Sequence, residues 1–120
     1  MKSKLSDIKL RYKIWIEIDG KGAFGDGKWE LLKAIDETGS LKEAMEKLNL
    51  TYRKTWNNLQ KMEELLGVPL IQTNRGGTDG GSSCLTPEGK KIITIFHKFH
   101  EKYDAEINKE FEKILSELKA

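Results

Sequence analysis

Cysteine and proline are nearly missing from this chain, and each shortage closes off a class of protein. A single cysteine, Cys84, excludes an intramolecular disulfide framework and a cysteine-based zinc site. Of the two prolines, Pro69 and Pro87, neither interrupts the chain after residue 87, so a long terminal helix is free to form. No stretch approaches the roughly 20 apolar residues that span a bilayer. The N-terminus, Met1–Asp7, is polar and charged with no apolar run behind it, which is unlike a signal peptide. An excess of one charge is missing too: 21 Lys and Arg face 19 Asp and Glu, a formal net charge of +2. Net charge therefore makes no case for nucleic acid, and any such case must rest on where the charges sit. Catalytic constellations are also wanting: there is no Ser, His and Asp arrangement and no metal-hydrolase spacing. The expectation is one ordinary domain of a cytoplasmic protein with no membrane partner, no catalytic or metal residues, no cofactor and no enzyme activity.

What is present is periodicity. From Leu10 to Asp19, the apolar Leu10, Tyr12, Ile14, Ile16 and Ile18 alternate with Arg11, Lys13, Glu17 and Asp19, as a half-buried strand requires. Trp15 alone is out of step on the polar face, so another subunit or the rest of the chain should cover it. Gly20, Gly22, Gly25 and Gly27 then read as turns. Asp26 is the expected cap of a helix Lys28–Thr38 with Trp29, Leu32 and Ile35 on its inner face, ended by Gly39.

Ser40, Leu41, Lys42 and Glu43 form a capping-box sequence, opening a short helix with Leu41, Ala44, Met45 and Leu48 inward. Asn49 suits the left-handed turn that follows, Leu50 can plug the gap between the helices, and Thr51 can cap the next one. That helix runs to Leu66 with Tyr52, Trp56, Leu59, Met62 and Leu66 at spacings of three and four, and Gly67 stops it. The proportions are those of a helix-turn-helix. Between Lys47 and Glu63 there is no acidic residue, while Arg53, Lys54 and Lys61 are basic and Thr51, Asn57, Asn58 and Gln60 offer neutral hydrogen-bonding groups. A helix in a major groove needs that chemistry: no carboxylate near phosphate, cations for affinity, amides or guanidinium for base edges. Next come a short strand, Val68–Thr73, the loop sequence Asn74–Ser83 (NRGGTDGGSS) and a second strand, Ser83–Leu85. This is a wing in which Arg75, Gly76, Gly77 and Thr78 could approach backbone or minor groove. A phosphate-binding P-loop is not there, since GxxxxGK[ST] is absent.

These segments resemble the N-terminal DNA-binding domain of the ModE family of molybdate-responsive transcription regulators. The resemblance lies in KIWIEIDGKGAFGDGKWELLKAIDETGS, LTYRKTW and GGTDGGSSCLTPEG, and covers about residues 10–95. LysR-type regulators share the broader pattern of GSLKEAMEKLNL, helix pair and wing, but normally lack the leading strand. The resemblance implies a dimeric winged helix on double-stranded DNA. By position it assigns Ser40, Thr51, Tyr52, Arg53, Lys54 and Asn57 to the recognition region and Arg75 to Thr78 to the wing; Asn58 and Lys61 join them from the helix face. Full-length ModE carries further oxyanion-binding domains, and nothing in these residues matches a molybdate site. A regulator whose effector is different, or supplied by a partner, is the expectation.

Thr86, Pro87 and Glu88 are a strong helix start. The helix that follows carries Ile92, Phe96, Phe99, Tyr103, Ile107, Phe111, Leu115 and Leu118 every three or four residues. A stripe this long, beside balanced charges, reads as a homodimer seam that Trp15 could join, with docking on its own domain as the alternative. His97 and His100, with Glu101 and Asp104, have a spacing that could bind a metal, though surface histidines on a dimer helix are the commoner case. Cys84 is expected to be a buried small residue. The fold expected is mainly α with a small β wing: a winged helix-turn-helix over 1–86, with a leading strand, and a C-terminal dimerisation helix over 87–120. Function follows as a sequence-specific regulator of double-stranded DNA; a winged-helix protein-interaction module and a small oxyanion- or metal-responsive sensor are the alternatives.

Overall fold

A computed structural model describes residues 1–74 and 82–119. Regular strand begins later than the alternation from Leu10 suggested: β1 is only Trp15–Ile18, because a strand exists where it has a partner, and its partner β2 spans Lys21–Gly25. The two pair antiparallel from Trp15 opposite Gly25 to Ile18 opposite Lys21. Between them Asp19 and Gly20 both take positive φ, 52° and 77°, the two-residue turn whose twist suits a hairpin. The glycines expected only as turns thus include a strand, and it buries Ala23 and Phe24 completely.

Helix α1, Asp26–Thr38, buries Leu31, Leu32, Ala34 and Ile35. Asp26 does not cap it: Gly25 holds the cap position, and the Asp26 carboxylate instead meets His100. Gly39, at φ 72°, ends the helix by donating its amide to the Ile35 carbonyl. Helix α2, Leu41–Leu48, starts with half of the expected capping box: Ser40 Oγ accepts from the Glu43 amide at 3.1 Å, while the Ser40 amide donates to Thr38 Oγ1 rather than to Glu43. Asn49 supplies the left-handed turn at φ 56°. Leu50 does not plug the helix pair; it is exposed. Helix α3, Tyr52–Leu66, buries Thr55, Leu59 and Met62; Thr51 occupies its cap position without a side-chain cap bond.

The second hairpin is β3, Ile71–Asn74, with β4, Ser82–Leu85, in register from Ile71 opposite Leu85 to Asn74 opposite Ser82. Strand β3 starts after the expected Val68 because Pro69 has no amide to donate and Glu63 of α3 accepts from the amides of Leu70 and Ile71. In β4 the inward positions fall on Ser83 and Leu85, and the Ser83 amide donates to the Gly39 carbonyl at 2.9 Å. Alternation therefore turns Cys84 outward, correcting its expected burial.

Helix α4 is 33 residues, Pro87–Lys119, about 50 Å at the standard rise. Thr86 caps it, accepting from the Gly89 amide and donating to the Pro69 carbonyl. Gly89 is required by contact: a Cβ there would stand 2.3 Å from the Leu70 carbonyl oxygen. Phe96 is 3% exposed, edge-on to Phe24 at 5.1 Å. The first turns of α4, with Phe96, Ile92 and Ile93, thus complete the core made by β2, α1, α2 and α3. This is a helix-turn-helix with a β3–β4 hairpin and a long final helix, mainly α as expected.

Candidate nucleic-acid interface

The burial pattern of α3 sets its outer face. With Thr55, Leu59 and Met62 inward, Arg53, Lys54, Asn57, Asn58 and Lys61 are all exposed. Together with Thr51 they border one shallow depression on the surface. Among the described residues no carboxylate lies within ion-pair distance of Arg53, Lys54 or Lys61. Three cations on a helix face free of acids as far as Met62, with Glu64 the first carboxylate to rejoin it, can take phosphate oxygens, and the amides of Asn57 and Asn58 can pair with base edges.

The fold adds Lys28, which sequence reasoning passed over. Gly25, Gly27 and Lys28 border a second hollow with Thr51, Lys54 and Asn58, so the start of α1 contributes a cation beside the first turn of α3. Only the tertiary approach of α1 to α3 could reveal it. Ser40 stands apart from this face in its bonding: its oxygen is engaged by the Glu43 amide, although its hydroxyl hydrogen remains free to donate. Arg75, Gly76, Gly77 and Thr78 lie outside the described residues.

Tyr52 is 64% exposed, and its ring lies parallel to that of Trp56, 3° apart at 6.3 Å between centroids. Trp56, expected to be an inner residue, is half-buried at the rim of the core and supports an aromatic row beside the polar one.

The expected dimer residues divide. Phe96 is inside its own core and Ile92 packs against that core, so both are withdrawn from the seam in favour of docking within the chain. Trp15 is 61% exposed and Phe99 is exposed as well; with Ile14, Ile16, Ile95 and Phe96 they line an apolar groove of about 310 Å³. Tyr103, against Phe99 at 4.7 Å, and Ile107, Phe111 and Leu115 are half-buried, while Ile95, Ile114 and Leu118 are exposed. The N-terminal segment lies along the same helix: Tyr12 donates its hydroxyl to Asp104, and Ile8 to Tyr12 share a cleft with Phe111.

His100 is not the surface histidine expected. Its ring stacks on Trp29 at 5.0 Å and 8°, with Nδ1 2.9 Å from Asp104 and Nε2 3.1 Å from Asp26. The cluster ties α4 to the start of α1. His97 does remain at the surface, 3.4 Å from Glu101. Among the described residues no three His, Cys, Asp or Glu side chains form a group able to hold a metal ion, and no described helix is long and apolar enough to cross a membrane.

The family described as bacterial regulatory helix-turn-helix protein, lysR family, matches residues 27–90. The molybdenum-pterin-binding protein MopB of Rhodobacter capsulatus is 39% identical over 66 residues, 55% of this chain and 24% of its own length. The molybdenum transport protein ModE of Azotobacter vinelandii is 27% identical over 99 residues, 82% of this chain and 37% of its own. The transcriptional regulator ModE of Haemophilus influenzae is 28% identical over 104 residues, 80% of this chain and 38% of its own. The chain spans less than two fifths of the length of each of these relatives.

Proposed function

Since this chain belongs to the lysR-type family of bacterial regulatory helix-turn-helix proteins and carries a ModE-like DNA-binding domain, we propose that it works as a sequence-specific transcription regulator on double-stranded DNA. In this reading α3 enters the major groove. Arg53, Lys54 and Lys61 contact phosphates or guanine edges, Thr51, Asn57 and Asn58 read bases, and Tyr52 flanks them. Lys28 holds phosphate beside the first turn, Ser40 donates from the start of α2, and Arg75 with Gly76, Gly77 and Thr78 serves the flank. The observation that carries the reading is the set of cations and amides on the outer face of α3, without ion-pair partners among the described residues and without an acid as far as Met62. Fifteen residues from Leu48 to Met62, across the turn and the first three turns of α3, include no carboxylate.

Two copies then form the working unit. The apolar groove with Trp15, Ile95 and Phe99, continued by Tyr103, Ile107, Phe111 and Leu115, supplies a seam of the length that helix pairing uses. A two-fold partner would set two recognition helices about one DNA turn, roughly 34 Å, apart. The functional division is then a DNA-reading unit through about residue 96 and a dimerisation arm beyond it. Acting on DNA, the protein works in the cytoplasm and as a binder, not an enzyme. The interaction-module and sensor alternatives leave the cation row of α3 without a purpose.

The test is a mobility-shift titration against genomic fragments at two salt concentrations. A salt-sensitive complex that resists non-specific competitor is expected from the parent chain, and its loss from the Arg53→Ala/Lys54→Ala double variant. A double variant that binds as tightly as the parent would end the assignment.

A further inference from the structure

The polar face of α3 accounts for every outward residue of its first two turns except the aromatic pair. Tyr52 is the first residue of the helix and Trp56 stands one turn further on, in a row rotated about 100° from that of Arg53 and Asn57. Trp56 packs on the core edge and its ring lies flat beside that of Tyr52. The tyrosine is thereby held on a rigid base while most of its own surface faces outward. Nothing in the core calls for it: Thr55, Leu59 and Met62 already fill the inner face.

Resting on the DNA-reading function above, we infer that this braced ring determines specificity for thymine through its 5-methyl group. The chemistry selects the partner. Within the major groove the thymine methyl is the one apolar feature that a base pair presents; the remaining edges are hydrogen-bond donors and acceptors. An aromatic face cannot make the bidentate bonds that identify guanine or adenine, but it gains by excluding water from a methyl. The first turn of a recognition helix is also the part that meets base edges. Bracing by Trp56 matters because a ring already held in place has little rotamer freedom left to lose on binding.

The experiment uses the full chain and a duplex it selects for itself from a randomised pool. Each thymine of that duplex is replaced singly by deoxyuridine, which removes only the methyl. In each half-site, one replacement is expected to weaken binding about fourfold, the worth of one buried methyl-sized group. Tyr52→Ala abolishes that penalty, Tyr52→Phe retains it, and Trp56→Leu reduces it. Tyr52 is exposed, so its variants test recognition and not folding. Binding indifferent to every methyl, or a penalty that survives Tyr52→Ala, overturns the inference while the DNA reading stands. A pool in which no duplex is enriched, or a preference for single strands, overturns both.

Discussion

Helices α3 and α4 carry the same apolar spacing and put it to different uses. On α3 the core takes up Thr55, Leu59 and Met62, with Trp56 and Leu66 at its edge and only Tyr52 of the stripe left outside, which leaves the opposite face free for a ligand. On α4 only the first turns are taken up; from Phe99 onward the stripe runs on half-buried or exposed, past the body it belongs to. Charge separates the helices further. The outer face of α3 has cations without acids as far as Met62, while α4 sets seven basic residues against seven acidic ones from Glu88 onward. An apolar stripe therefore says that a helix buries one face; the charge opposite that stripe says what the other face is for.

The contrast can be broken most forcefully within α4. Phe96→Ala should cost about 3–5 kcal/mol of unfolding free energy, as a large core truncation does, measured by urea denaturation. Phe99→Ala, three residues on, should leave the stability of the single chain within about 0.5 kcal/mol and lower self-association in sedimentation equilibrium. Equal losses of stability at the two positions would erase the division of α4 into core and arm.

A smaller effect sharpens the difference between outer faces. Arg53→Ala should weaken binding to a preferred duplex by about 1–3 kcal/mol and relax its sequence preference, whereas Lys61→Ala should lower the salt slope by about one with preference retained. Lys109→Ala on α4 should change neither. If the α4 variant matched Arg53→Ala, the acid-free stretch before Glu63 would lose its meaning.

Ser40→Ala should cost about 1 kcal/mol, the ordinary worth of an N-cap, read as a lower denaturation midpoint; no change would mean that the Glu43 amide finds water just as well. The smallest effect lies between α1 and α2. The Lys47 ammonium, by its hydrogen bond to Glu37 and then by its charge, holds that carboxyl below the usual range. A depressed carboxylate pKa contributes stability above its unfolded value and loses it as pH falls through the folded one. Thermal melts across the acidic carboxylate range should show a slight decline that Lys47→Ala flattens; an unchanged pH profile in that variant would remove the pair's contribution.

Much of this was legible before any coordinates. The helix starts at Ser40 and Pro87, the left-handed Asn49, the stops at Gly39 and Gly67 and the outward set on α3 all follow from local rules. What escaped did so for identifiable reasons. Strand β2 hid among glycines, though Asp19 and Gly20 are a strong hairpin signal between its flanks. Asp26 looked like a cap because its sequence neighbours suit one, yet its carboxylate serves His100, 74 residues away. Cys84 faces out because Gly39 engages its neighbour Ser83.

By itself, the sequence determined the kind of object: backbone conformation and amphipathic faces depend on neighbours three or four residues away, and those are written in order along the chain. Tertiary structure alone decided which apolar residues are spent and which are left over. Phe96 and Phe99 differ by three positions and belong to the same residue type, but one meets Phe24 and the other solvent. Burial is a property of what else arrives at a place. In the same way Lys28 joined the basic face, and Trp56 became the support of Tyr52, only when α1 and the core edge closed around the first turn of α3.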